Sequence, residues 1–348
     1  MLVFTNHIAM ELEAYLLSKQ HDKIFVLTDT NTSEKCLPLL KPALLRKNWV
    51  SVTIEAGDTH KDIHQVFKVW DVLSKNGASR NSLLINLGGG MVTDLGGFAG
   101  ATFKRGLHHL NIPTTLMASV DAAVGGKTGI NYNGLKNEIG AFYHPDCVMI
   151  DCEFLETLDD DNLLSGYAEM IKHGLISDKK SYYDMLTFDI KYPDFEKLSD
   201  LVSASVAIKE RFVEADPNET GIRKALNLGH TAGHALESLS FTTNKPLLHG
   251  HAVASGLICE LYLSYKTYNM PVELLRQVTN FVKTHYPPFV FNCDAYETLH
   301  ELMMHDKKNK DGRILFTLLG AIGDVRINQE VSKALILESF DFYRENVY

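Results

Sequence analysis

The sequence has no C-x-x-C pair, and its five cysteines (Cys36, Cys147, Cys152, Cys259 and Cys293) are an odd number. Both facts argue against a disulfide framework and for a reducing, cytoplasmic compartment. Long hydrophobic runs are missing too: none approaches the roughly 18 residues of a membrane span, so no membrane partner is expected. The opening MLVFTNHIAMELEAYL lacks a basic segment ahead of an apolar core and does not read as a signal peptide. Positive charge is not in excess: 34 Lys and Arg stand against 43 Asp and Glu, a net charge of −9. That balance argues against a nucleic-acid partner, which needs a basic surface. Internal repeats and low-complexity segments are absent as well. What is present is ordinary for a soluble globular enzyme: 45% hydrophobic and 22% charged residues over 348 positions, enough for two domains.

The first 150 residues alternate short apolar runs with helical patterns. Lys23–Asp29, Trp49–Ile54 and Ser82–Leu87 read as strands, and Glu34–Lys47 and His60–Ser74 as helices. Such alternation predicts βαβ units around a parallel sheet, with ligands at the carboxyl ends of the strands. The Ser82–Leu87 strand runs into Gly88-Gly89-Gly90, where backbone N–H groups at a helix start can approach a phosphate. Asp94 falls in the first turn of that helix, as a dipole partner or a ribose contact. Further on, Lys104, Arg105, Thr114, Thr115, Asp121, Gly125-Gly126-Lys127 and Lys136-Asn137 mix glycines, hydroxyls and ammonium groups in a way that suits an anion. Gly125–Thr128 ends like a Walker A loop, but Asp121 stands where the first glycine belongs, so a P-loop is rejected.

From about Glu153 helical patterns dominate. Leu226–Gly256 holds four of the fifteen histidines: His230, His234, His249 and His251. His230 and His234 share a helix face, and neutral imidazole is a common ligand for zinc and similar ions. Glycines 229, 233, 250 and 256 flank them, which suggests close approach of a ligand or of backbone. Glu169 and Lys172, three apart, read as a surface ion pair, with Glu169 also a candidate oxygen ligand. Asp194–Ala215 reads as a helix carrying Lys209, Pro217–Arg223 as a loop, Arg313–Leu318 and Val325–Asn328 as a strand pair, and Lys333–Tyr343 as a closing helix. A dinucleotide half, a metal in a helical half and several basic residues together suit redox or elimination chemistry on a small, highly anionic substrate.

The stretches GGGMVTDLGGFAGATFKRG, PTTLMASVDAAVGGKTGIN, GLKNEIGAFYHP, FLETL, GYAEMIKHG, GIRKALNLGHTAGHALE and LLHGHAVASG span residues 88–256 almost without a gap, with DKK at 306–308 beyond. In them the chain resembles the 3-dehydroquinate synthases, sugar phosphate cyclases of the shikimate pathway and aromatic amino acid biosynthesis. The resemblance implies an α/β N-terminal Rossmann-like domain (1–152) and an all-α C-terminal metal-binding domain (153–348), with catalysis in the cleft between them. It implies conversion of 3-deoxy-D-arabino-heptulosonate 7-phosphate to 3-dehydroquinate and phosphate, with catalytic NAD and divalent zinc or cobalt. In that family a substrate hydroxyl is oxidised, phosphate is eliminated, the ketone is reduced back, and an aldol step closes the ring.

Residue by residue, the resemblance implies Glu169, His230 and His249 as metal ligands, with His234 beside the substrate. NAD would be held by Gly57, Asp58, Thr59, His60 and Lys61, by Gly90, Met91, Val92, Thr93 and Asp94, by Thr114, Thr115, Asp121, Lys127 and Lys136, and by Phe154, Leu155, Glu156 and Thr157. Lys127, Asn137, Lys209, Arg223, Asn227 and one or both of Lys307 and Lys308 would clamp phosphate and carboxylate, with Glu219 a further polar contact. Arg105 would reach a neighbouring subunit's site, which implies a homodimer. Two positions depart from the family pattern: His251 replaces a glutamate, and is expected as an outer partner of the metal site, and the first NAD loop reads GDTHK. The alternatives are a 2-deoxy-scyllo-inosose synthase-like cyclase, a metal-dependent NAD alcohol dehydrogenase of the glycerol dehydrogenase type, and a non-catalytic NAD-binding protein.

Overall fold

The computed structural model describes residues 1–133, 135–304 and 313–348. They divide into two compact units, Met1–Asp159 with Phe195–Val206, and Asp160–Asp194 with Ala207–Tyr348. The division thus falls a few residues beyond 152. Phe154 explains why: its ring is fully buried among Leu12, Leu87 and Met149, so the turn Cys152–Thr157 belongs to the first core.

In the first unit the strands are β1 (Leu2–Thr5), β2 (Ile24–Asp29), β3 (Trp49–Ile54), β4 (Leu83–Gly88), β5 (His108–Pro113), β6 (Lys127–Tyr132), β7 (Leu135–Phe142) and β8 (Cys147–Asp151). Six form a parallel sheet in the order β1-β8-β5-β4-β2-β3. From β2 the chain moves outward to β3, then back to β4 on the other side. The switch point lies between β2 and β4, and ligands of such sheets bind outside the carboxyl ends there. Every residue of β2 and β4 is buried, as strands covered on both faces require. The period of two sends Ile24 and Val26 into one core, with Leu12 and Leu40 of the flanking helices. Phe25 and Leu27 enter the other, with Val69 and Leu95. Each such side chain contributes about 1.5–3 kcal/mol by leaving water.

Three local features differ from the sequence expectation. The helix expected over Glu34–Lys47 is two, Thr30–Lys35 and Leu37–Leu44, because Pro38 has no N–H to continue the ladder and suits a helix start. The helix expected from His60 starts at Ile63, where the Asp62 carboxylate caps the N–H groups of His64 and Gln65 at 2.8 and 3.1 Å. The glycine–lysine stretch after 125, for which no strand was expected from the sequence, leads into an antiparallel hairpin in which β6 and β7 pair Lys127 with Phe142.

The second unit is helical, with one hairpin. Its helices are Asp160–Ser177, Lys179–Leu186, His230–Ser240, His249–Tyr268, Val272–His285, Tyr296–Met304 and Lys333–Val347. Phe195–Ala215 is one helix whose later turns, from Ala207, belong here. The expected strand pair is β9 (Leu315–Ala321) and β10 (Asp324–Glu330). Helix His249–Tyr268 is buried without interruption from Gly250 to Ser264, as a central helix must be. Gly250 is required where it crosses helix Asp160–Ser177: a Cβ there would lie 1.7 Å from the Ser165 carbonyl oxygen. Among the described residues no helix is long and apolar enough to cross a membrane.

Candidate metal centre and anion-binding loops

Three helices of the second unit meet at one point. Glu169 lies inside Asp160–Ser177, and His230 and His249 are the first residues of their helices. Glu169 Oε1 is 3.4 Å from His230 Nε2 and 3.7 Å from His249 Nε2. Donors bound tetrahedrally at 2.0–2.2 Å from one zinc ion stand roughly 3.4 Å apart, so the three atoms suit a common cation. The far nitrogen of each ring is engaged: His230 Nδ1 lies 3.1 Å from the Leu228 carbonyl, and His249 Nδ1 lies 3.2 Å from Glu237 Oε2. If each Nδ1 carries the proton and donates it there, both Nε2 lone pairs face Glu169, the arrangement metal-binding histidines use. His249 keeps about a third of its side chain exposed while Glu169 is sealed, which leaves an open side for a substrate oxygen. His234, one turn after His230, also contributes: the donor atoms of His230, His234 and His249 all lie within 4.8 Å of one another. Spacing pairs His230 with His234, and the resemblance pairs it with Glu169; the fold brings both within reach.

Buried acidic groups gather around this point. Glu169, Glu237 and Glu260 are buried within a few per cent of completely, and the Lys172 ammonium contacts Glu169 Oε2. Burial pushes the Glu169 carboxyl up, but Lys172, His230 and His249 outweigh it and hold it well below the usual range. Buried carboxylates demand compensation, and a divalent cation beside Glu169 would supply it. The Glu169–Lys172 pair is therefore a correction: the surface ion pair suggested by the spacing is buried, with side-chain exposures of 0% and 1%. His251 is a second correction. Its Nε2 lies 3.1 Å from the Asp161 carbonyl and its ring packs edge-on to Tyr286, so it braces the helix start rather than any ligand.

Two of the remaining expected residues of this unit are buried cations. Lys209 is 5% exposed and Arg223 1%. Arg223 donates from Nη1 to the Pro217 carbonyl at 2.6 Å. Asn227 donates to Glu219 Oε1 at 3.0 Å, and Glu219 holds a left-handed φ of 57°. Asp216, which the sequence reading passed over, shapes this loop by accepting from the N–H groups of Thr220, Gly221 and Arg223 at 3.0, 2.6 and 3.2 Å. Lys307 and Lys308 lie outside the described residues.

In the first unit, the expected cofactor loops gather at the carboxyl ends of the strands. Helix Gly90–Thr102 starts at the switch point with no side-chain cap on its first N–H groups. The Thr114 N–H donates to the Gly88 carbonyl at 3.1 Å, and Thr115 Oγ1 accepts from Ala118 N–H at 3.1 Å. Asp121 sits in a π-helical turn, Ala118–Ala122. Lys61 is buried, paired with Asp94 and donating to Asn137 Oδ1 at 2.5 Å. Asn131 ties the same loops together, donating to the Asp58 carbonyl at 2.9 Å and accepting from Asn137 N–H at 3.0 Å. Lys136 pairs with Asp58 at 3.1 Å, and Lys127 is exposed at the start of β6. Val92, Phe154 and Leu155 have side chains sealed in the core; only their backbone can touch a ligand. Arg105 is exposed, with a left-handed φ of 64°. A cavity of about 350 Å³ lined by Lys19, His21 and Lys47 lies at the amino end of β2, and none of the expected residues lines it.

Comparison with known proteins places these observations. Sequence models of the N-terminal and C-terminal parts of 3-dehydroquinate synthase match residues 51–165 and 166–309. The chain is 60% identical to a 3-dehydroquinate synthase of Parabacteroides distasonis over 345 residues, covering 99% of this chain and 98% of that one. It is 41% identical to one of Pyrococcus abyssi over 321 residues, covering 91% and 92%. Among solved structures, a 2-deoxy-scyllo-inosose synthase complexed with carbaglucose-6-phosphate, NAD+ and Co2+ aligns with a TM-score of 0.88 at 20% identity, covering 99% of this chain and 96% of that one. A 2-epi-5-epi-valiolone synthase of Streptomyces hygroscopicus with NAD+ and Zn2+ bound aligns at 0.87 and 23%, with the same coverage.

Proposed function

The chain belongs to the 3-dehydroquinate synthase family, and we propose from this premise how its residues divide the work. The reaction is the family's: 3-deoxy-D-arabino-heptulosonate 7-phosphate becomes 3-dehydroquinate and phosphate. The observation that carries the reading is the convergence of Glu169 Oε1 with the Nε2 atoms of His230 and His249 at 3.4 and 3.7 Å. Those three would hold a divalent metal, zinc or cobalt. When bound, the metal supplies Lewis acidity toward substrate hydroxyl oxygens, and NAD supplies a reversible hydride acceptor.

The chain's own residues do the rest. His234, within 4.8 Å of the other two imidazoles, would hold a proton at a ring nitrogen beside a substrate hydroxyl. Lys209 and Arg223 offer cationic groups already stripped of water, so they can fix an anionic substrate group without much further desolvation. Asn227 and Glu219 hold each other and present a mixed donor–acceptor edge. In the first unit, Lys127 would grip an anionic group of the substrate. Gly90–Asp94, Thr114, Thr115, Asp121 and Lys136 would hold NAD, the uncapped N–H groups at Gly90–Val92 facing its pyrophosphate. The segment 57–61 is fastened to Asp94 and Asn137 through Lys61, so it would order the NAD loops as much as touch the cofactor.

We further propose a cytoplasmic homodimer. Free cysteines, four of them buried, suit a reducing compartment. The exposed, left-handed Arg105 suits a reach into a second copy's site; Arg105→Ala should then be complemented in mixed dimers with a variant inactive at another position, and a mixture without recovered activity rejects it. The decisive assay for the reaction uses purified protein, the heptulosonate phosphate, trace NAD and zinc. Phosphate release without net NADH is expected. Accumulating NADH would point to an alcohol dehydrogenase, and turnover only of a substrate lacking the carboxylate to another cyclase.

A further inference from the structure

The two histidines that face Glu169 both open their helices. A helix start carries roughly half a positive charge, so each position is adverse to a cation. His249 has a carboxylate on its ring, Glu237. The His230 helix has no side-chain cap of its own, and its N-cap is Gly229 in the left-handed conformation, φ 79°. Its N–H groups are taken instead by a residue about three turns along the neighbouring helix. Glu260 Oε2 accepts from Gly229 N–H at 2.6 Å, and Oε1 from Ala232 N–H at 3.0 Å. Glu260 is completely buried. A serine or asparagine at 229 would cap this helix without burying a charge, so capping alone does not account for a carboxylate placed there.

We propose that Glu260 is a positioning residue for the divalent cation. Its charge offsets the positive helix end against which the cation is held, and its two hydrogen bonds lock His230 to the helix that carries His249. This rests on the Glu169–His230–His249 reading of the metal centre.

The test measures zinc and cobalt dissociation constants by chelator competition on the full-length protein, with unfolding temperatures in metal-free and metal-loaded forms. Glu260→Gln should bind metal about 5- to 30-fold more weakly, the effect of removing a charge at a buried helix end. It should also shrink the rise in unfolding temperature that metal produces, and move the cobalt absorption bands. An unchanged dissociation constant, with metal-free and metal-loaded forms equally destabilised, would reduce Glu260 to a cap and overturn the proposal. Glu260→Asp keeps the charge and should recover much of the affinity. If it binds no better than Glu260→Gln, the electrostatic argument fails. His230→Ala is measured alongside: normal metal binding there would reject the ligand set itself, whereas a defect there with normal Glu260→Gln rejects only the present inference.

Discussion

Gly256→Ala separates propensity from packing. Alanine is the better helix former by roughly 1 kcal/mol, so within helix His249–Tyr268 the change should stabilise. The structure reverses the sign. A Cβ at 256 would lie 2.0 Å from the Gly229 carbonyl oxygen, 2.5 Å from Gly233 N and 2.9 Å from Gly233 Cα. All three are backbone atoms, so no side chain can swing aside. Carbon and oxygen come no closer than about 3.3 Å in such contacts, and the two helices must part by roughly an ångström. Overpacking of this kind costs about 1–3 kcal/mol, and the shift also stretches the Glu260 bonds of 2.6 and 3.0 Å. We expect a net loss of about 1–3 kcal/mol in urea denaturation of the metal-free protein. The same shift moves His230 against His249, whose donors stand only 3.4 and 3.7 Å from Glu169, so zinc affinity should fall about tenfold or more, as it does when support of a ligand is lost. A variant as stable as the parent, with unchanged zinc affinity by chelator competition, would refute the packing argument.

His230→Ala should lose activity and bound metal together; a dialysed variant retaining one equivalent of metal by elemental analysis rejects the ligand assignment. Lys127→Ala should lower kcat/KM by about 10²- to 10³-fold, as for a removed charge-assisted contact to reacting anions, and steady-state kinetics showing no change would remove Lys127 from the clamp. His109 predicts a pH dependence. Burial, foremost, pushes its imidazole down from 6.5 to about 4, and neither ring nitrogen has a hydrogen-bond partner among the described residues. The unfolded chain therefore binds the proton first: stability is held above pH 6.5 and lost as pH falls toward 4, by about 3 kcal/mol for a shift of that size. His109→Phe should flatten this part of the stability–pH curve, and equal slopes for parent and variant between pH 7 and 4.5 would contradict it.

What was legible in the sequence was what is local. The strands β2, β3 and β4 announce themselves as short apolar runs, and the glycine turn after β4 points to the switch point because it directly follows one of them. β1 has only four residues and β5 opens on two histidines, so period and composition say little about either. The sequence offers Glu169 as one candidate oxygen ligand among others, and only the family resemblance joins it to His230 and His249: it lies some sixty residues before His230, and no spacing rule spans that distance. Glu260 was invisible for the same reason, since it caps a helix start 31 residues away. Asp216 had a local signal in the turn-forming run Asp-Pro-Asn-Glu-Thr-Gly, where a carboxylate commonly collects the N–H groups that follow. Of the two readings open for the glycines around the histidines, a ligand or backbone close by, the structure shows the second at Gly250, which approaches Ser165, and at Gly256, which approaches Gly229.

Those crossings bear on how a chain of net charge −9 can serve a highly anionic substrate. Lysine and arginine are almost never fully buried unless paired, yet Lys61 in the first unit and Lys172, Lys209 and Arg223 in the second are each at most 5% exposed. Surface charge acts through water and is screened within about a Debye length of 8–10 Å. Buried cations act at lower dielectric, where the same charge is several-fold stronger. A negative exterior therefore does not oppose an anion-binding interior, because the interior cations dominate at contact distance. Lys61 pairs with Asp94, and Lys172 with Glu169. Arg223 donates from Nη1 to the Pro217 carbonyl, a contact that orients the guanidinium. Such burial suits Lys61 and Lys172 to holding the acids beside them in place, because removing either ammonium would leave a largely buried carboxylate without that partner.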